Sequence, residues 1–338
     1  MNNRIAIVTG ASAGIGRATS LRLAKDFAGI VLVARRQEEL EKTAANIKAL
    51  GAEPLVLPAD LRQPEAVSEI IASTKSKFGR LDAVVNIAGA VPQIHLFQMT
   101  DQQWNDGAEM KLHGARRLAI KAWPLLKESR GSVVFMSGNS AESPKPGFAA
   151  VAAINAAIVA MAKAFAEQGI IDGVQVNSIL PGPVMSNRRI GFLDKWSADH
   201  QLSIDDAKEK FLQEAHIERY GKPEEVAELI AFILSPGARW LIGTAIRIDG
   251  GEIREYSFPH GMRSDHRRRR LPPQGFHPRP SRPLPPQKCP GRRPGPYILR
   301  NHLTPSLSYR SSSTTHPPPP HHSPQNPSDE TGYSPSDR

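Results

Sequence analysis

A single cysteine, Cys289, leaves the chain without an internal disulfide, and nothing points to an oxidising compartment. Tyrosine is scarce too: five residues in 338, the first of them Tyr220. The chain also lacks a long purely apolar run. The most apolar stretch, Phe148 to Ala166, contains Asn155 and Lys163 and is rich in alanine, which predicts a buried helix rather than a membrane span. The first residues, Met1-Asn2-Asn3-Arg4, run directly into an apolar segment, Ile5–Val8, with no charged region, apolar core and cleavage site of a signal peptide. A soluble, cytoplasmic protein is expected, with no membrane partner and no bound metal.

Charge is unevenly placed. Residues 257–338 hold 13 of the 43 Lys and Arg but only 4 of the 33 Asp and Glu, so nearly all of the net charge of +10 lies there. The same stretch holds 19 of the 30 prolines and 7 of the 11 histidines. Its low hydrophobicity cannot offset chain entropy, which predicts a disordered tail after a folded domain over residues 1–256. Three readings of the tail compete. The run Arg267–Arg270 suits phosphate contacts. Arg282-Pro283-Leu284-Pro285-Pro286 has the form of a polyproline ligand. An abrupt change to Pro, Arg, His and Ser is also what off-frame translation yields. The last, or inert disorder, is favoured, and nucleic acid is not an expected partner.

The first 256 residues alternate short apolar runs with longer helical segments. The runs are Ile5–Val8, Ile30–Ala34, Pro54–Leu57, Ala83–Asn86, Ser132–Met136, Val174–Ile179 and Ala245–Ile248. Several are apolar throughout, the pattern of parallel strands covered on both faces. The helix candidates are Ile15–Phe27, Glu38–Leu50, Pro64–Phe78, Asp101–Glu128, Gly147–Gln168 and Pro223–Leu234. This order predicts an α/β fold, a doubly wound parallel seven-stranded sheet of the Rossmann type in a single domain. The connection Met185–Arg219 is read as a long loop, a lid or binding loop in which Phe192 and Trp196 either cover a substrate or dock the loop.

Thr9-Gly10-Ala11-Ser12-Ala13-Gly14-Ile15-Gly16 follows the first strand and opens the first helix. In that setting glycines let backbone N–H groups approach a pyrophosphate at the helix N-terminus. The spacing Gly-x-x-x-Gly-x-Gly resembles the short-chain dehydrogenase/reductase family. So do Asn86-Ile87-Ala88-Gly89, Pro181-Gly182-Pro183-Val184, the segment Gly221-Lys222-Pro223-Glu224-Glu225-Val226-Ala227, and Asp249-Gly250-Gly251. The resemblance runs from residue 4 to about 254. It implies a nicotinamide dinucleotide held by Gly10, Ser12, Ile15 and Gly16 in the turn, by Asp60 and Leu61 near the adenine, by Asn86, Ala88 and Gly89, and by Pro181, Gly182 and Val184 at the carboxamide. Family members usually end soon after the Asp-Gly-Gly motif, so the tail is foreign to the pattern.

The second strand ends at Ala34-Arg35-Arg36. An acid there would bind the 2′-hydroxyl of NAD, whereas arginine accommodates a 2′-phosphate. NADP(H) is favoured over NAD(H), although Ala13 stands where NADP-preferring members often carry a basic residue.

The family's four catalytic residues are absent. Aligned on Pro146–Ala150 and Ala156-Ala157, Val151 holds the tyrosine place and Asn155 the lysine place. Gly138 holds the serine place and Lys111 the asparagine place. With no tyrosine before Tyr220, no shift of register supplies the usual acid. Ser137, Asn139, Ser140 and Lys111 are the available substitutes. The plainer reading is favoured: the serines serve a strand end and Lys111 is solvated or ion-paired. Two functions follow from the resemblance: an NADP(H)-binding oxidoreductase with a non-standard site, or an inactive cofactor-binding pseudoenzyme acting as sensor or assembly subunit. A small apolar or carbonyl-bearing substrate and a homodimer or homotetramer packed through the two long helices are also implied.

Overall fold

The computed structural model describes residues 3–254; the expectations for the tail and for a boundary at residue 256 fall outside them. Seven strands form one sheet: β1 (Ile5–Thr9), β2 (Gly29–Ala34), β3 (Glu53–Pro58), β4 (Ala83–Asn86), β5 (Ser132–Met136), β6 (Gln175–Pro181) and β7 (Ala245–Ile248). Their order is β3-β2-β1-β4-β5-β6-β7, and every pair is parallel. The predicted doubly wound Rossmann sheet is therefore present, with each apolar run at its place.

The residues of β1 show why these runs form buried strands. Successive side chains of a strand point to opposite faces. Ile5 and Ile7 enter the apolar layer beneath α3 (Pro64–Phe78), α5 (Gly114–Ser129) and α6 (Ala149–Asp172). Ala6 and Val8 enter the opposite layer beneath α1 (Gly14–Leu23), α2 (Gln37–Ala49) and α9 (Pro223–Ile233). With both faces covered, neither set of positions tolerates a polar side chain, which is why the run is apolar throughout.

Two predictions of local structure need correction. The helix expected over Asp101–Glu128 is three pieces: α4 (Asp101–Ala108), a π-turn over Glu109–His113, and α5. The Gly114 N–H reaches back five residues to the Glu109 carbonyl, which inserts one extra residue into the helix. The segment Met185–Arg219, expected as a loop, is mostly helical. It contains α7 (Asn187–Asp199) and α8 (Ile204–Ala215), each opened by a serine that accepts a backbone N–H, Ser186 from Arg189 and Ser203 from Asp206. The expected buried helix is α6, preceded by a 3-10 turn over Pro146–Phe148. It is long and apolar enough to cross a membrane by composition alone. Only one of its faces, with Ala150, Ile154, Ile158, Ala162 and Ala166, joins the core.

The strand order reverses between β1 and β4, and their C-terminal ends open a crevice there. In doubly wound sheets ligands bind at that point.

Candidate cofactor cleft and active site

The glycine-rich turn lies on the crevice. Gly10 has φ +71°, in the left-handed region. A Cβ on Gly16 would sit 2.1 Å from the Gly10 carbonyl oxygen, so the turn closes only with glycine at that place. Helix α1 has Ala13 at its N-cap, with no side-chain cap and no acid in its first turn. Its first N–H groups are therefore left for an anion. Thr9 fixes the turn against the segment after β4, its Oγ1 accepting the N–H of Ile87 at 2.9 Å and of Ala88 at 3.0 Å.

On one side of the turn a cavity is lined by Gly10, Ser12, Arg35, Arg36, Leu61 and Ala88, among others. The side chains of Arg35 and Arg36 are exposed and make no hydrogen bond or ion pair among the described residues. Two predicted residues are placed differently. The Asp60 carboxylate is gripped by the Arg62 guanidinium, with contacts of 2.6 to 3.1 Å, which holds its pKa below the usual carboxylate range. The Asn86 side chain is buried with neither amide atom partnered, and it lines neither cavity of the cleft.

A larger cavity of about 400 Å³ opens on the other side. Ile15, Gly16, Gly89, Pro181, Gly182 and Val184 border it. All four tetrad places, Lys111, Gly138, Val151 and Asn155, face the same cavity. The alignment by anchors therefore brings together residues from the π-turn, from the end of β5 and from α6.

Lys111 is the principal correction. It is neither solvated nor ion-paired but 8% exposed. Its Nζ donates to the Ser137 carbonyl at 3.1 Å and makes a short bond to Asn155 Oδ1. Burial, and secondarily the nearby positive charge of Arg188, lower its pKa to about 7. The π-turn positions its backbone, and Gly89 leaves it a path, since a Cβ there would lie 2.9 Å from both Cγ and Cδ of Lys111. π-Turns inside α-helices are frequent at functional sites for this kind of re-aiming.

Asn155 completes the arrangement. Its Nδ2 donates to Ser140 Oγ at 2.9 Å. A Cβ on Gly138 would come within 2.6 Å of that same Nδ2, so the absence of a side chain at Gly138 makes room for the amide. Ser137 is committed elsewhere: its hydroxyl donates to the Asn155 carbonyl at 2.8 Å and ties β5 to α6. For Ser137 the plainer reading holds. Asn139 donates a short bond to Glu252. Val151 offers an apolar wall and no proton.

The helices α7 and α8 cover the cavity with an aromatic face. Phe192 lies 5.7 Å from Phe148 and 5.9 Å from Phe211, ring centre to ring centre. The Arg189 guanidinium sits between them, 5.1 Å from the Phe192 ring centre and 4.9 Å from that of Phe211. Arg188 fastens α7 to the segment after β4 through the carbonyls of Gly89 at 3.0 Å and Val91 at 2.8 Å. Ser186, Arg188 and Arg189 were missed from sequence. The Ser186 cap, a serine just before a helical stretch, was a legible signal; the reach of Arg188 across 97 residues was not.

A family model described as Enoyl-(Acyl carrier protein) reductase matches residues 10–252. The 3-oxoacyl-(acyl-carrier-protein) reductase FabG of Staphylococcus epidermidis is 30% identical over 251 residues, which cover 74% of this chain and 98% of the relative. Among solved structures, L-sorbose reductase of Gluconobacter frateurii complexed with NADPH and L-sorbose is similar with a TM-score of 0.72 at 28% identity, covering 76% of this chain and 98% of that one. An actinorhodin polyketide ketoreductase variant with NADPH gives a TM-score of 0.71 at 26% identity, covering 75% of this chain and 99% of that one.

Proposed function

Because the chain belongs to the short-chain dehydrogenase/reductase family of oxidoreductases, we propose that it works as an NADP(H)-dependent carbonyl reductase or alcohol dehydrogenase with a rebuilt active site. The observation that carries the cofactor preference is the pair Arg35 and Arg36 at the end of β2, two partnerless guanidiniums on the adenosine-side cavity. Guanidinium matches phosphate geometry and stays charged. The NADPH bound by the two reductases of similar structure agrees with this.

The residues present fit the group, since α1 opens behind a tight glycine turn with no side-chain cap and no acid in its first turn. The N–H groups at the start of α1 would take the pyrophosphate, and Arg35 with Arg36 the 2′-phosphate. Pro181, Gly182 and Val184 would border the nicotinamide. When bound, the cofactor supplies or accepts hydride; the protein positions and polarises. The aromatic cover from α7 and α8 excludes water and favours a small, partly apolar carbonyl compound.

A second reading is favoured by Val151. A chain with valine at the tyrosine place has lost the family's proton donor, and a cofactor-binding pseudoenzyme that senses NADP(H) or assembles with related subunits would keep the cleft and not the chemistry. Under either reading a soluble, cytoplasmic homodimer or homotetramer is expected. The outer face of α6 supports it, with Ala153, Ala156, Ala160 and Ala164 exposed and small enough for close helix packing. Calorimetry of the full chain with NADPH and NADH tests the shared premise. Tighter binding of NADPH is expected, and failure of both nucleotides to bind would refute the assignment of the cleft. Turnover on carbonyl compounds then separates enzyme from pseudoenzyme.

A further inference from the structure

The places of Lys111 and Asn155 are those of the family's asparagine and lysine, so this chain has the two residue types exchanged, with the amine now on the π-turn and the amide on α6. We propose that the exchange preserves a proton-donating site: Lys111 delivers the proton to a substrate oxygen, and Ser140, aligned by Asn155, donates the hydrogen bond that polarises it. The inference rests on the oxidoreductase reading above.

Three observations carry it. First, among the described residues the Lys111 Nζ has two acceptors, the Ser137 carbonyl and Asn155 Oδ1. Two N–H groups satisfy them in either protonation state. The third position of the nitrogen, an N–H when charged and a lone pair when neutral, has no acceptor among the described residues. Second, the Asn155 amide is oriented at both ends. Its oxygen accepts from Lys111, so its Nδ2 must point at Ser140 Oγ, 2.9 Å away. With its oxygen lone pair taken, Ser140 keeps its own O–H to donate, and Ser140 lines the cavity. Third, Gly138 has no side chain to displace the amide. The exchange, the glycine and the serine thus form one mutually fitted set.

The chemistry balances without a further reactant. The cofactor, when bound, would supply hydride to the carbonyl carbon of the substrate, leaving the electron pair of the C=O π bond on the substrate oxygen. That oxygen takes a proton from the Lys111 ammonium, which becomes a neutral amine and is reprotonated by solvent. Burial brings the Lys111 pKa to about 7, where a general acid at neutral pH is most effective. The positive charges on the same cavity wall are Arg188, whose field lowers the Lys111 pKa, together with Arg189 and Lys145. The acid on that wall is Glu252, which accepts from Asn139.

The test uses the full chain with NADPH and three probe carbonyls: acetoacetyl-CoA, L-sorbose and diacetyl. NMR of isotopically labelled lysine in the same protein reports the titration of Lys111 without need of turnover, assigned by its loss in Lys111→Met. The proposal expects Lys111 to titrate near neutrality and reduction to fall as pH rises through that value. Lys111→Met should lower kcat by about 100-fold or more, and Ser140→Ala by about 10-fold, within the range of acid catalysis. NADPH affinity should be retained in both, and Lys48→Met, at an exposed lysine of α2 away from the cavity, should leave the profile in place. Turnover that survives Lys111→Met and Ser140→Ala, or a pH profile unchanged by Lys111→Met, overturns the inference and leaves the oxidoreductase reading standing. A Lys111 that stays charged up to pH 10 also overturns it. Tight NADPH binding with no turnover of any probe by the native chain counts against both and favours the pseudoenzyme.

Discussion

The two ends of the cleft are built by different means. Toward Arg35 the walls are mostly backbone: a glycine turn, uncapped N–H groups at the start of α1, and the Thr9 hydroxyl that fixes one loop to another. Toward Lys111 the walls are side chains that touch one another, Lys111 to Asn155 to Ser140. The backbone end carries the glycine turn and the loops after β4 and β6; the side-chain end carries Lys111, Gly138, Val151 and Asn155 on one cavity. A backbone cradle depends on φ, ψ and close approach, and a substitution such as one at Gly16 destroys it outright. A side-chain network can be rewritten if every member changes to suit the others.

The comparison is tested hardest at the side-chain end. Combining Lys111→Asn, Gly138→Ser, Val151→Tyr and Asn155→Lys exchanges one positioned acid for another and should keep turnover of the probe carbonyls within about 10-fold of the native chain, whereas Lys111→Met alone loses roughly 100-fold or more. Steady-state kinetics would check it, and a gain of roughly 10²- to 10⁴-fold in the combined variant would show that the native site holds no positioned acid. At the backbone end, Gly16→Val should cost about 3 kcal/mol or more of NADPH binding, on the order of 100-fold. Calorimetry would check it, with circular dichroism to verify that the sheet remains; retained affinity would mean that the glycine turn is not the phosphate site.

A smaller effect separates the two ends by pH. The folded-state pKa of Lys111 is lowered to about 7 from 10.5. A lowered lysine penalises the folded state fully below pH 7, and the penalty lifts as pH rises toward 10.5. Stability of the native chain should therefore rise across that window, by at most ~1.4 kcal/mol per pH unit from this group. Lys111→Met should flatten the rise, as read from denaturant unfolding at pH 7, 8 and 9. Identical slopes would mean that the buried amine is already neutral by another route. The smallest effect expected is at the 2′-phosphate: Arg35→Ala or Arg36→Ala should weaken NADPH about 10-fold, the loss of one charge-assisted hydrogen bond, and leave NADH nearly unchanged.

What the sequence made legible follows the same division. The strands were plain because residues buried on both faces must be apolar, as in Ile5-Ala6-Ile7-Val8. The glycine turn was plain because few residues can replace glycine at φ +71°. The helices α7 and α8 resemble a loop in sequence because the stretch is rich in charge and only one face of each is covered; the caps Ser186 and Ser203 are the signal that marks them. The π-turn has no signature in residue types, so α4 and α5 were read as one helix. Burial of Lys111 was hidden because its acceptors come from 26 and 44 residues away. Nothing local to Met110-Lys111-Leu112 predicts an amine held without a carboxylate.

The packing of Gly138 against Asn155 also bears on substitution. A serine arriving at Gly138 would meet the Asn155 amide at once. A lysine arriving at Asn155 would bring a second ammonium against a buried first one. An asparagine arriving at Lys111 would leave the site with no amine at all. Each of these three single steps toward the family's arrangement thus disturbs the fitted set before it can supply the usual one. The site is therefore a unit for substitution as well as for geometry: at Lys111, Gly138 and Asn155 a change at one position has to be matched by changes at the other two.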